Sequence, residues 1–369
     1  MRVLHVIDTS FLGGGQTSVR HLLEGFRGTG VTTDLACRDG GPLMDAARAT
    51  GSEVHAIPFD KRYLPGRARA LARVVRERGI DLMHSHGLLA TYYCAVARSA
   101  FGAKVPLVYH QHGFHHHNHG ALTQRARIAA EKWLATRADR VLAVSRSDHD
   151  RLLRERYVDP SRLRLVHYGL PPATPDPSEV CAARKAMKLP PGSPVIGLVA
   201  RLVPQKGVET FLKAAALARH QRPGLTFVIV GVGPLEGELR ALASSISLNG
   251  DLRWITSGMR GVAAAPNFDV GVLSSRWEGL PLVLLEYMAA ARAIVTTNVD
   301  GCLDAVGPAE AEIVEPDTPE AMAAAMVRLV SDAGLARQRA AAAQARFAKA
   351  FTLEVMVRNV RVIYEEICA

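Results

Sequence analysis

Cysteine is scarce in this chain. Only Cys37, Cys94, Cys181, Cys302 and Cys368 occur in 369 residues, without metal or redox spacing. Cysteine-based metal and redox motifs are therefore excluded, and buried free thiols in a reducing cytoplasm are expected. Long apolar runs are missing too: none approaches the roughly 20 residues of a membrane span. Met1-Arg2-Val3-Leu4-His5-Val6-Ile7 reads as a first strand and not as a leader. Aromatics make up only 6% of the chain. With no aromatic-rich basic strand and no finger spacing, the net charge of +10 is not assigned to nucleic acid. Small acidic ligands and anionic lipid headgroups account for the sign equally well.

Apolar residues are plentiful at 48%, and they come in short runs that alternate with helical patterns. That alternation implies parallel sheets. Strands are expected at 3–7, 32–37, 53–57, 82–84, 107–110, 140–144 and 163–166. A second series is expected at 195–200, 226–230, 252–255, 270–273, 293–296 and 312–314. The proline-rich stretch Pro171-Pro172-Ala173-Thr174-Pro175-Asp176-Pro177 separates two halves of similar size. The fold class is α/β, two doubly wound Rossmann-like domains. Ligands of such folds sit outside the carboxyl ends of the strands.

Two strand ends carry chemistry. Phe268-Asp269-Val270-Gly271-Val272-Leu273 is a buried-strand pattern that runs into Arg276-Trp277-Glu278-Gly279-Leu280-Pro281. Gly279 permits a turn, and Pro281 suits the first position of a helix. Glu278 then lies in the loop and Glu286 on the helix. The free N–H groups of Leu280, Leu282 and Val283 crown the helix, a place for an anionic or hydroxyl-rich ligand. Upstream, Gly197-Leu198-Val199-Ala200-Arg201-Leu202-Val203-Pro204-Gln205-Lys206-Gly207 brings Arg201 and Lys206 to another strand end. An arginine fork and a lysine point charge there suit a diphosphate.

This pair of elements, G-x-x-x-R-x-x-x-x-K-G followed by E-x7-E, resembles the signature of the retaining glycosyltransferases of family 4, which have the GT-B fold. The resemblance runs over essentially the whole chain. It implies an N-terminal acceptor-side domain at 1–170 with a terminal helix, 352–369, crossing back to it. Residues 171–351 would then be the nucleotide-sugar-binding domain, and the cleft between the two the site. Gly13-Gly14-Gly15-Gln16 resembles the family's GG-x-E turn, with Gln16 in place of Glu. Ser18 stands where a nicotinamide fingerprint needs its third glycine, so that cofactor is not expected. His112-Gly113 resembles the family's His-Gly, whose imidazole lies near the donor sugar. Tyr168-Gly169 stands where the family carries Asn-Gly, and Asn298-Val299-Asp300-Gly301 resembles its Gly-Gly turn. Gly231 and Gly233 form a strand-to-helix turn expected to face the nucleotide.

Several segments support a functional and a bland reading together. Asp81-Leu82-Met83-His84-Ser85-His86 either lines the acceptor side or holds one buried and one surface histidine. His110, His112, His115, His116, His117 and His119 crowd into ten residues. Their spacing gives no defined tetrahedral metal site, so the segment reads as a mobile loop with His112 as its functional member. Asp148-His149-Asp150 follows Ser145 and reads as a capped first helical turn, not a metal-binding Asp pair. Two basic helical patterns, from Pro65 to Arg78 and from Gln124 to Arg137, suggest contact with an anionic inner-membrane face.

The resemblance implies sugar transfer from a nucleotide-diphosphate sugar, with UDP as the expected carrier. The acceptor is a hydroxyl of a glycan, lipid-linked or small-molecule substrate. Arg201 and Lys206 would stabilise the departing diphosphate, Glu278 and the Gly279 and Leu280 amides the sugar, and Glu286 the ribose. Gly14 and Gly15 would approach the ligand. No metal or other cofactor is expected. A GT-B sugar-nucleotide epimerase, or a nucleotide-sugar-binding protein without activity, are the alternatives. Release of free nucleoside diphosphate in the presence of acceptor separates them.

Overall fold

Short runs rich in Val, Ile and Leu, bounded by turn residues, become central strands of two all-parallel sheets in the computed structural model. The structure describes residues 1–369 except 12, 61, 114–120, 172–175 and 257, and says nothing of the side chains of 121–123. The chain divides into two units, Met1–Pro171 with Thr352–Ala369, and Pro172–Phe351.

The first unit holds β1 (Arg2–Ile7), β2 (Thr32–Cys37), β3 (Glu53–Ala56), β4 (Leu82–His86), β5 (Leu107–Gln111), β6 (Arg140–Ala143) and β7 (Leu163–Leu165). Their order is β3-β2-β1-β4-β5-β6-β7. The second holds β8 (Val195–Val199), β9 (Thr226–Val230), β10 (Leu252–Ile255), β11 (Val270–Leu273), β12 (Ala293–Thr297) and β13 (Glu312–Val314), ordered β10-β9-β8-β11-β12-β13. All thirteen fall on the expected runs. Each order reverses once, between β1 and β4 and between β8 and β11. Those reversals are the switch points at which such sheets take ligands.

Both faces of each sheet are covered, as parallel sheets require. In the first unit, Leu4, Val6, Met83, Tyr109 and Val141 pack under the helices Pro65–Glu77 and Leu88–Phe101. On the other face Val3, Leu82, Val108, Leu142 and Val166 meet Met356, Val360, Ile363 and Tyr364 of the helix Leu353–Cys368. Gly169 lets that segment dock, because a Cβ there would strike the Thr352 carbonyl. In the second unit Ile196, Leu198, Phe227, Ile229, Val272 and Val295 pack against Phe211 and Leu212 of Val208–Gln221 and against Met322 and Met326 of Pro319–Ser331. Each such fully buried side chain contributes about 1.5–3 kcal/mol.

Two expectations need correction. Pro281 is the residue before the helix Leu282–Ala289, not its first. The segment from His110 is not all loop: His110 and Gln111 complete β5 and are buried. His115, His116, His117 and His119 lie outside the described residues.

Candidate functional site

In the second unit the loops after β8 and β11 meet at the switch point. After β8, Pro204–Lys206 forms one short 3-10 turn that closes on Gly207 at φ 54°, the left-handed region glycine tolerates. A Cβ at Gly207 would also strike the Ser274 carbonyl oxygen. The turn aims Lys206 at the β11 loop, where its ammonium donates to Glu278 Oε1. Ser275 Oγ donates to the same oxygen at 2.6 Å, and Gln205 Nε2 to Glu278 Oε2 at 3.4 Å and to the Trp277 carbonyl at 2.8 Å. Ser274 Oγ reaches the Lys206 carbonyl at 2.8 Å. The ion pair is nearly sealed, with side-chain exposures of 14% for Lys206 and 6% for Glu278. Such a pair holds its geometry and strengthens electrostatics locally.

Arg201 is different. It is exposed, and its guanidinium makes no hydrogen bond or ion pair with any of the described residues. The loop therefore presents one fixed, paired cation and one uncommitted guanidinium fork at the same strand end.

Arg276 fastens this loop, a role the sequence reading did not assign. Its guanidinium grips Asp317 with two bonds, 2.9 and 2.8 Å, and reaches Glu209 at 2.5 Å and the Pro204 carbonyl at 2.6 Å. Thr210 Oγ1 donates to Asp317 at 3.0 Å. The Asp317 carboxyl is held below its usual range, chiefly by the Arg276 hydrogen bonds, against the opposing effect of partial burial. The loops after β8, β11 and β13 are thereby tied to one helix.

Three glycines serve backbone packing. A Cβ on Gly231 would collide with the Ala200 carbonyl, on Gly233 with that of Leu202, and on Gly301 with that of Gly279. Gly231 and Gly233 thus set the loop that carries Arg201. Gly279 and Leu280 lie in the turn before the helix Leu282–Ala289, and Leu280 is buried. Glu286 is half-buried on that helix, and Gly261 packs so closely against its carboxylate that a side chain there would displace it.

In the first unit the β1 loop opens the helix Gly14–Gly25, and a Cβ on Gly15 would sit 3.3 Å from the His112 ring. Behind it lies a plate of buried imidazoles. His5 of β1, His84 and His86 of β4 and His110 of β5 share one sheet face with His112 beyond it. His5 Nδ1 lies 3.0 Å from His86 Nε2, His86 Nδ1 3.1 Å from His112 Nε2, and His112 Nδ1 2.7 Å from the Tyr168 hydroxyl. His84 Nδ1 pairs with the Tyr364 hydroxyl at 2.5 Å. Burial pushes His5 down to about 3 and holds His84, His86 and His110 well below the ordinary imidazole range, with the neighbouring rings adding to the effect for those three. Both histidines of the His84–His86 segment are thus buried, where the bland reading expected one on the surface. Asp148 is where capping puts it: its amide donates to Ser145 Oγ at 3.1 Å.

Residues 182–346 match the family model described as glycosyl transferases group 1, and residues 12–174 the model described as glycosyltransferase family 4. A D-inositol 3-phosphate glycosyltransferase of Rhodococcus jostii is 30% identical over 341 residues, covering 85% of this chain and 75% of the relative. The chain belongs to glycosyltransferase family 4. Another relative, the UDP-Gal:alpha-D-GlcNAc-diphosphoundecaprenol alpha-1,3-galactosyltransferase of Escherichia coli, is 27% identical over 356 residues, covering 90% of this chain and 88% of the relative. Among solved structures, Anabaena HepE in complex with UDP-glucose superposes with a TM-score of 0.86 at 18% identity, over 99% of this chain and 100% of that one. The protein is a GT-B glycosyltransferase, a transferase of EC class 2.4.

Proposed function

We propose that this family 4 enzyme transfers a sugar from a UDP-sugar to an acceptor hydroxyl with retention of configuration. The observation that carries the reading is the strand-end arrangement of the second unit: paired Lys206 and Glu278 beside the uncommitted Arg201. Arg201 and Lys206 meet the diphosphate, and a phosphate that takes up Lys206 substitutes for Glu278 as its partner. Glu278 is then released toward the sugar hydroxyls, beside the Gly279 and Leu280 amides. Glu286 accepts from the ribose, and Gly231 and Gly233 hold the loop. In the other unit Gly14, Gly15 and His112 form the sugar and acceptor side. The charge that builds on the leaving diphosphate meets preorganised cations, the role a metal ion plays elsewhere. A donor phosphate oxygen takes the acceptor proton.

UDP as carrier is supported by the Escherichia coli relative, whose name specifies UDP-Gal, and by the UDP-glucose complex of HepE. The relatives' names point to inositol phosphate and lipid-linked diphosphate sugars as acceptor classes to try first. The test is nucleoside diphosphate release from a panel of UDP- and GDP-sugars with those acceptors, run in EDTA. Release from a UDP-sugar, undiminished by EDTA, is the expected result. Activity lost to EDTA and restored by magnesium or manganese contradicts metal-independent transfer.

Contact with an anionic membrane surface belongs to the same proposal. Arg62, Arg69, Arg73 and Arg76 are exposed around the helix Pro65–Glu77, and Arg125 and Arg137 lie in or just after Ala121–Ala135. Tyr63, Leu64 and Trp133 are exposed large apolar residues in the same segments. Leu71 and Val75 are committed to the core, so the helix adsorbs by charge and does not insert. Each basic side chain adds about 1 kcal/mol near such a surface, screened within a Debye length. Sedimentation with anionic but not zwitterionic vesicles is expected, weakening steeply with salt. Equal sedimentation with both, or with neither, removes membrane contact. No helix among the described residues is long and apolar enough to cross a membrane.

A further inference from the structure

We propose that His86, His110 and His112 form a binding site for a divalent transition-metal ion of the zinc class, and that an ion held there inhibits transfer by occupying His112. The inhibitory half rests on the functional reading above; the binding half does not.

The three imidazoles come together because of strand geometry. His86 ends β4, and His110 is its register partner on β5. His112 lies two residues further on, just past the end of β5, and its ring stacks on those of His86 and His110. One ligand nitrogen from each lies within 4.8 Å of the others. His86 Nδ1 and His112 Nε2 are 3.1 Å apart. Two nitrogens bound at roughly 2.0–2.1 Å to a tetrahedral zinc ion lie about 3.4 Å apart, so for the His86–His112 pair a shift of a few tenths of an ångström suffices. The opposite nitrogens are already held as ligating histidines require: His86 Nε2 by His5 and His112 Nδ1 by Tyr168.

His110 is the strongest observation. It is fully buried, and neither of its ring nitrogens has a hydrogen-bond partner among the described residues. Burying an imidazole this way is costly, and a bond to an ion removes part of that cost. His5 and His84 are already committed through Nδ1, to His86 and to Tyr364, and support the trio from behind.

Three neutral nitrogens without thiolate or carboxylate select zinc, nickel, cobalt or copper over magnesium and calcium. They are also the ligand count of a site that keeps one position open. His112 is half-buried, and Gly15 brings backbone without a side chain up to its ring. The trio lies in the first unit and Lys206 and Glu278 in the second.

The experiment uses the full chain without an affinity tag, stripped with EDTA and titrated with Zn2+ or Co2+. Wild type is expected to bind one ion per chain. X-ray absorption of the zinc-loaded wild type, which needs no variant, should show a nitrogen-rich shell with imidazole scattering. His110→Phe keeps the ring packing and should weaken binding beyond the roughly 10–100-fold that loss of an outer partner costs; Tyr168→Phe should fall within that range. Replacing His115, His116, His117 and His119 by serine should leave binding intact. Zn2+ should inhibit nucleoside diphosphate release by wild type but not by His110→Phe. No bound ion, unchanged affinity in His110→Phe, loss of the ion on the serine replacements, or a shell without imidazole overturns the site. An ion bound as expected with transfer unaffected overturns the inhibitory half and the placing of His112 at the sugar, and leaves the ion site standing.

Discussion

Lys206→Ala is expected to lower turnover by roughly 10²-fold or more, because the contact it removes strengthens as the leaving diphosphate gains charge. The variant loses a cation held by a 3-10 turn and an ion pair, both of which fix the ammonium before the reaction starts. Glu278 keeps Ser275 and Gln205 as hydrogen-bond donors, so its carboxylate remains anchored when the lysine is gone. The effect should therefore fall on kcat more than on donor KM. Lys206→Arg keeps the charge but offers a planar fork where a point charge is needed, and rescue should be partial. Steady-state kinetics with a thermal melt on each variant check this. Near-normal turnover in a folded Lys206→Ala protein removes Lys206 from the mechanism.

Gly231→Ala should have the largest effect on stability. The added methyl would meet the Ala200 carbonyl oxygen, a backbone atom that cannot rotate away. One of the loops after β8 and β9 must move, at about 2–4 kcal/mol, and the loop after β8 carries Arg201. For a domain of this size each kcal/mol lowers Tm by about 2–4 °C, so a drop of roughly 4–16 °C is expected, with loss of activity. Gly237→Ala is the control. Gly237 lies six residues on, in the exposed part of the helix Glu236–Ser245, and a Cβ there meets nothing within 4 Å. That substitution should be neutral or stabilise by about 0.4–1 kcal/mol. Differential scanning calorimetry compares them, and equal melting temperatures would show that the β9 turn is not a packing glycine.

The strands were legible because parallel sheets bury both faces, so each strand shows as an uninterrupted apolar run closed by turn residues. The cations and carboxylates of the second unit were legible for a related reason: Arg201, Lys206 and Glu278 follow directly on such runs. Their partnership was not. Lys206 and Glu278 are 72 positions apart in sequence, and only the reversal of strand order makes β8 and β11 neighbours. Arg276 read as the flank of a motif, since Glu209 and Asp317 come from segments far away in the chain. The imidazole plate has a signal of its own in the sequence. His84 and His86, like His110 and His112, are spaced by two, and in a strand that spacing puts a pair on one face. The histidines that crowd near His112 in sequence mask this spacing, because its partners His86 and His110 lie on β4 and β5.

The most direct test of the diphosphate clamp is calorimetric titration of UDP and UMP into the enzyme in EDTA. The two ligands differ by the β-phosphate, and charge-assisted contacts of about 1.5–3 kcal/mol separate them if Arg201 and Lys206 receive it. UDP should bind roughly 10- to 100-fold more tightly than UMP, and the gap should collapse in the Arg201→Ala, Lys206→Ala double variant. Equal affinities for UDP and UMP, or UDP binding that appears only with a divalent metal, would contradict the account.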